Sequence, residues 1–320
     1  MRLTIGHWAV LSILAPALTV GACAPAAPPE ESRVAEAVAS EGVLALNGTE
    51  IFVKRMGSGE PVMIIHGGPM LDHGYLLPHL APLARSYELV FADQRVSGRS
   101  AGDVPPDSLR IATFVADIET LRLQLGLGRV HMVGHSWGGL LALNYALQHG
   151  EALRSLTLLS PLAASADLWQ KEQQAQAVPV DADQQARQEI LDSDALAAEE
   201  PAAIEALLRL AFKNQFENPL RAAELDLYVP PDYMARSRLF GNVMVDLTDY
   251  DLHPRLARFD LPTLLLYGAA EPALSIGGAA LHEGISGSTL IAIESAGHFP
   301  FIEQPKEFLG VVRSFLDKVD

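Results

Sequence analysis

The sequence predicts an α/β domain: a mostly parallel central sheet covered by helices, with a helical cap inserted into it. Three observations carry that prediction. Short apolar runs of strand length alternate with helix-spaced segments at both ends of the chain. Between them, residues 161–250 lose every clear strand and become rich in Ala, Gln, Glu and Arg. At Gly134-His135-Ser136-Trp137-Gly138-Gly139 a short apolar run meets an apolar helical one, so the chain turns sharply from strand into helix.

The N-terminus stands apart from this fold. An apolar run from Ile5 to Val20 leads to Val20-Gly21-Ala22-Cys23, a signal-peptide pattern over residues 1–22. The last four residues also look like a bacterial lipobox. That resemblance implies cleavage before Cys23 and diacylglycerol on its thiol, making the lipid anchor the chain's membrane contact. Ala24, rather than Asp, follows the cysteine, which implies an outer-membrane lipoprotein facing the periplasm. The alternative is an ordinary secretory signal, giving a secreted or soluble periplasmic protein. Cys23 is the sole cysteine, so no internal disulfide can form. The Ala-, Pro- and Glu-rich stretch that follows reads as a tether, within a flexible linker over 23–42.

The α/β core is expected over 43–160 and 251–320. Val43 to Lys54 reads as a β-hairpin with Asn47-Gly48 as its turn. Pro61–Ile65 is a continuous apolar run, as a central parallel strand should be. A helix is expected over Leu76–Arg85, then a strand over Glu88–Ala92. Phe114, Ile118, Leu121 and Leu125 mark a helix over 113–125. The strand before Gly134, the helix after Gly139 and a strand over 152–160 complete this half. In the cap, helices are expected over 168–178, 182–197 and 202–216, separated by Pro179, Pro201 and Pro219. Strands then return at 262–267 and 288–294, and a closing helix runs from Pro305 to Val319.

Composition narrows the function. The net charge is −16, and so acidic a chain repels nucleic acid and anionic lipid alike. No Cys/His cluster suggests a metal, and no cofactor is expected. Past the first two dozen residues no uninterrupted apolar stretch could span a bilayer.

Chemistry-bearing residues gather at the predicted strand ends. Glycines around Ser136 permit the tight turn of a nucleophile elbow. A serine hydroxyl needs a base, and the base needs a carboxylate to fix its tautomer. His298, in the loop after the last strand, fits the base. Glu271, just past the preceding strand, fits the acid, with Asp167 as the alternative; Asp260 lies at the wrong end of its strand. The oxyanion donors are expected at the backbone N–H of Trp137 and of Gly68, in His66-Gly67-Gly68-Pro69. His66 and His135 are assigned packing roles in their loops.

Three linked motifs carry a family resemblance: His66-Gly67-Gly68-Pro69, Asp93-Gln94-Arg95-Val96-Ser97-Gly98-Arg99-Ser100, and Gly134 to Gly139. With them the chain resembles the α/β-hydrolase family, and within it the proline iminopeptidase-like branch. The resemblance spans roughly 43–160 and 250–318. It implies a serine hydrolase forming an acyl-enzyme on a small-molecule or short-peptide substrate, an aminopeptidase first and an esterase or lactonase second. A non-catalytic lipid-tethered binding protein on the same scaffold is the reading from another class. Met70 and Val96 stand where the family has glycine, and Glu271 where it usually has Asp. The cap lacks the tryptophan-and-glutamate pattern associated with binding a substrate amine. Glu205, Glu217 and Glu224 are the cap carboxylates on offer, and Glu217 is best placed, because Asn218-Pro219 ends its helix at a turn.

Overall fold

The structure, a computed structural model, describes residues 39–68, 70–176 and 183–319. The signal segment, Cys23 and the tether as far as residue 38 lie outside the described residues, as do Pro69 and Pro179. The compact unit comprises Ala35–Asp320.

Among the described residues eight strands form one sheet: β1 (Ser40–Leu46), β2 (Thr49–Gly57), β3 (Glu60–Ile65), β4 (Tyr87–Ala92), β5 (Val130–His135), β6 (Leu153–Leu159), β7 (Thr263–Gly268) and β8 (Thr289–Ile293). Their spatial order is β1-β2-β4-β3-β5-β6-β7-β8. The hairpin forms as expected. Leu46 pairs with Thr49, and Asn47 and Gly48 both take the positive φ that a two-residue turn needs. The hairpin strands are antiparallel to each other, β2 pairs antiparallel with β4, and the remaining pairings are parallel. Strand β1 begins at Ser40, so the last residues assigned to the linker belong to the sheet.

The central strands are apolar throughout because both of their faces are covered. Along β3, Met63 and Ile65 enter one core with Met132 and Leu158, while Val62 and Ile64 enter the other with Phe91 and Leu266. The helices are α1 (Leu77–Leu80), α2 (Ile111–Gln124), α3 (Trp137–His149), α4 (Ala166–Gln176), α5 (Gln184–Leu191), α6 (Asp194–Ala197), α7 (Pro201–Lys213), α8 (Tyr233–Phe240), α9 (His253–Leu256), α10 (Gly277–Gly284), α11 (Pro300–Glu303) and α12 (Pro305–Val319). Helix α12 buries Phe308, Val312 and Leu316, one stripe at helical spacing.

The structure corrects several expected elements. The helix expected over 76–85 is a single turn followed by 3₁₀ structure at Ala81–Arg85. Pro82 has no N–H to continue the ladder. The helix expected over 182–197 breaks at Asp192, because the Ser193 hydroxyl caps a new one through the Leu196 N–H at 3.1 Å. Helices α8 and α10 were not anticipated. Helix α10 opens on Gly277-Gly278 and closes on Gly284, a composition that argues against a helix locally.

The cap leaves and rejoins the core at one neck. Ser165 and Asp251 form an isolated antiparallel bridge, with Ala166 N–H bonded to Tyr250 C=O and Leu252 N–H to Ala164 C=O. Its helices lie over the C-terminal ends of the parallel strands. Strand β3 has β4 on one side and β5 on the other, so the winding direction reverses there, the usual crevice of such a sheet.

Candidate active site

Ser136 sits at φ 54° and ψ −120°, between β5 and α3. A non-glycine residue is rarely held there, and the surroundings enforce it. Its N–H bonds Leu159 C=O at 2.9 Å, and its C=O accepts from Gly139, Leu140 and Leu162. Gly138 permits the tight approach, since a Cβ on it would collide with the carbonyls of Ile65 and His66. The helix N-terminus leaves the first N–H groups, including that of Trp137, without intrahelical partners.

His298 lies in the loop after β8, and Glu271 follows β7. Nδ1 of His298 faces Oε1 of Glu271 at 2.6 Å, and Oε2 of Glu271 accepts from the Ser160 hydroxyl at 2.6 Å. The carboxylate is buried. The cap holds the same histidine from above. His298 N–H bonds the Gln215 carbonyl at 2.7 Å, and Phe299 stacks on Phe216 with centroids 4.6 Å apart.

Gly68 has φ +47°, and a side chain there would strike Leu71. The second motif explains how this loop is fixed. Gln94 N–H donates to Nε2 of His66, and its side-chain amide donates to the His66 carbonyl. The Gln94 amide oxygen then accepts from the Trp137 indole at 2.8 Å. One side chain thus ties the Gly67-Gly68 loop to the elbow. Arg95 makes a bidentate pair with Asp117, both buried, and Asp93 accepts from His73 and from the Arg99 N–H. Met70 and Val96 hold φ of 74° and 57°, the region in which glycine is cheapest.

Ser136, Trp137, Gly68, Glu271 and His298 all line one cavity of about 230 Å³ under the cap. Its other walls are largely apolar, including Trp169, Phe212, Phe240 and Leu247. Among the described residues the cap contributes one carboxyl to it, Glu172 on α4. Glu172 is buried, and its Oε1 accepts from Gly277 N–H at 3.1 Å. Desolvation, reinforced by the nearby Glu271 charge, pushes its pKa up to about 8.

The sequence reading named other cap carboxylates, and the structure puts them elsewhere. Glu205 pairs with Arg209 and Glu224 with Arg221, both on partly exposed helix faces. Glu217 is exposed and outside the cavity wall. Asp167, the alternative acid, is exposed and pairs with Lys171 four residues on. Glu172 was missed because a carboxylate in a Gln- and Glu-rich helix reads as solvated. The one signal was Trp169, three residues earlier on the same face.

One cluster places metal-ligating atoms close together: Asp72, His73 and Asp93 bring one each within 4.8 Å. The Arg99 guanidinium already meets Asp72 at 2.5 Å, and both Asp93 oxygens accept hydrogen bonds. A resident cation of the protein's own therefore occupies the position, and the cluster works as a structural clasp.

A hydroxyl on a strained elbow, an imidazole oriented by a carboxylate, and a glycine loop lining the same cavity are among the parts acyl transfer requires. The fold and the site define a hydrolase scaffold. Residues 60–305 match the α/β hydrolase fold family, and the chain belongs to it. It is 28% identical to the proline iminopeptidase of Lactobacillus acidophilus over 307 residues, covering 88% of this chain and 99% of that protein. The crystal structure of proline iminopeptidase from Mycobacterium smegmatis superimposes with a TM-score of 0.66 at 22% identity, over 88% of this chain and 98% of that one. The esterase from Exiguobacterium antarcticum gives 0.61 at 24% identity, over 86% and 98% respectively. These two structural likenesses show the shared fold.

Proposed function

We propose that the protein is a serine hydrolase that removes an N-terminal proline-like residue from a short peptide or amide. Ser136 is the nucleophile. His298 takes its proton as Oγ attacks the carbonyl, with Glu271 holding Nδ1–H so that the other ring nitrogen is the base. The Trp137 and Gly68 N–H groups stabilise the oxyanion. His298 then returns the proton to the leaving amine, and water releases the acid from the acyl-enzyme by the same route in reverse.

The observation that carries the substrate reading is Glu172. A buried carboxyl in an apolar cavity is costly unless something pairs with it. The cationic amine of a substrate N-terminus would pair with it, and the names of the relatives point the same way. Both oxygens of Glu271 are already engaged, so Glu172 is the carboxyl left to meet the amine.

The ester or lactone reading has its own support. With its pKa near 8, Glu172 is neutral in the empty site at neutral pH, and the remaining wall suits an uncharged acyl group. Three substrates separate the readings: Pro-β-naphthylamide, its N-acetyl form and a small neutral ester. The peptidase reading expects Glu172→Gln to lower kcat/KM on the free amine by about 10- to 100-fold and to leave the ester unchanged. Ester hydrolysis without prolyl cleavage, unaffected by Glu172→Gln, would rule the peptidase out.

For location, the proposal is an outer-membrane lipoprotein anchored through Cys23 and facing the periplasm. Its support is the Val20-Gly21-Ala22-Cys23 pattern with Ala24 behind it.

A further inference from the structure

We propose that Tyr75 and His135 form a one-directional hydrogen-bond relay that positions both halves of the catalytic machinery. The inference rests on the reading of Ser136 and His298 given above. Neither residue touches substrate in that reading; both are positioning residues.

The relay has two fixed ends. Gly67 N–H reaches the Tyr75 hydroxyl oxygen at 2.6 Å, and a backbone N–H can only donate. The Tyr75 oxygen lies 2.7 Å from Nδ1 of His135, and Nε2 of His135 lies 3.1 Å from the His298 carbonyl. A carbonyl can only accept. The protons between these ends then have one arrangement. Tyr75 accepts from Gly67 and donates its own O–H to Nδ1. Nδ1 is therefore bare, and Nε2 carries the hydrogen that reaches the His298 carbonyl.

Burial supports this assignment. Tyr75 and His135 are both almost wholly inaccessible. Desolvation and the neighbouring His298 hold the His135 pKa well below that of an ordinary histidine, so its ring stays neutral. The His135 and His298 rings lie 4.9 Å apart, and Tyr75 and Phe301 meet His135 edge-on.

The placement gives the relay its function. One end holds the peptide adjoining Gly68, whose N–H is to meet the oxyanion. The other holds the main chain of the base. The middle is the residue before the nucleophile. Oxyanion loop, elbow and base therefore move as one body. Displacement of a catalytic group by about 1 Å can cost about 100-fold in rate.

The test uses Tyr75→Phe, His135→Gln and the double variant in the full-length protein. Fluorophosphonate labelling of wild type comes first. A wild type that neither takes label nor turns over substrate overturns the reading of Ser136, and the relay with it. Given a labelled wild type, folded Tyr75→Phe should lose about 10- to 100-fold in kcat with KM nearly unchanged. Affinity for a trifluoromethyl ketone analogue of the substrate should fall in parallel with kcat. The double variant should be no worse than the worse single one, because one chain is already broken. Normal kcat in folded Tyr75→Phe, or losses that multiply in the double variant, would overturn the relay. An independent readout needs no substitution. The ¹⁵N spectrum of histidine-labelled wild type should show His135 protonated on Nε2 alone, and protonation on Nδ1 refutes the proposal.

Discussion

The Ser160 hydroxyl donates to Glu271 at 2.6 Å, occupying the one carboxylate oxygen that His298 leaves free. Ser160 directly follows β6 with φ 40°, one strand away from the carboxylate it supports. Ser160→Ala should leave a buried oxygen unsatisfied and cost about 1–3 kcal/mol. Ser160→Gly loses the same bond but suits the positive φ, so it should be the more stable of the two. Turnover should fall about equally in both, on the order of tenfold, if the hydroxyl rather than the backbone matters. Urea titration beside steady-state kinetics separates the two effects.

Ser136 itself trades stability for geometry. Ser136→Ala or His298→Ala should remove at least about 10³-fold of turnover with the fold intact. Ser136→Gly should be equally inactive yet more stable than wild type. Relief of the strained φ and ψ is worth about 1–3 kcal/mol, of which glycine's freedom in the unfolded chain takes back about 0.4–1 kcal/mol. A lower melting temperature for Ser136→Gly would show that the turn holds no strain.

How much of this was legible in the sequence follows from the range of the interactions. Strands β3, β5 and β7 declare themselves because burial on both faces demands an apolar run, which needs no knowledge of the partner. The elbow, Glu271 and His298 are likewise tied to strand ends, and chain order places them. What stayed hidden depends on contacts distant in sequence. Glu172 becomes a buried cavity carboxyl only because α4 folds against Gly277, 105 residues away. Gln94 looks like a surface amide until it is seen to bridge His66 and Trp137. Glu217 misled because α7 already ends at Lys213 and Asn218 caps a new 3₁₀ turn instead, which leaves Glu217 exposed on the link between them.

Val96 tests the departure from glycine in the second motif. Its side chain is fully buried, worth about 1.5–3 kcal/mol, while its φ of 57° is strained for a β-branched residue. Val96→Ala loses much of the packing and keeps the strain. Val96→Gly loses more packing and sheds the strain. The glycine variant should therefore be no less stable than the alanine one, although it removes more atoms. Chemical denaturation of the pair gives the ranking directly, and a clearly less stable glycine variant would mean that packing dominates.

At the N-terminus, Cys23→Ser should release soluble protein or accumulate an unprocessed precursor. A lipobox product carries two or three acyl chains, enough for stable anchoring where one is marginal. Intact mass of membrane-extracted protein checks this, and an unmodified Cys23 there would refute lipidation.

Glu172 links pH, stability and substrate. Desolvation, and then the Glu271 charge, pushes its carboxyl in the folded chain up from the ordinary 4.5 to about 8. Between those values the native state keeps a proton that the unfolded state has released. The native state thus binds more protons, and stability must fall as pH rises through this window, levelling off above about 8. Glu172→Gln can still accept from Gly277 N–H and has no proton to lose. Relative to wild type it should gain stability from pH 5 to about pH 8 and then level off, by roughly a few kcal/mol at the plateau. Activity should move the opposite way. A bound ammonium favours the carboxylate, so below about pH 8 substrate binding must expel the proton. KM for Pro-β-naphthylamide should then fall as pH rises toward 8, and the effect should vanish in Glu172→Gln. The neutral ester, which has no charge to pair, should show no such trend in either protein. Melting curves and KM across the same buffers read both arms. If wild type and Glu172→Gln keep a constant stability difference from pH 5 to pH 9, Glu172 does not titrate in this window, and the pH dependence of KM expected here fails with it.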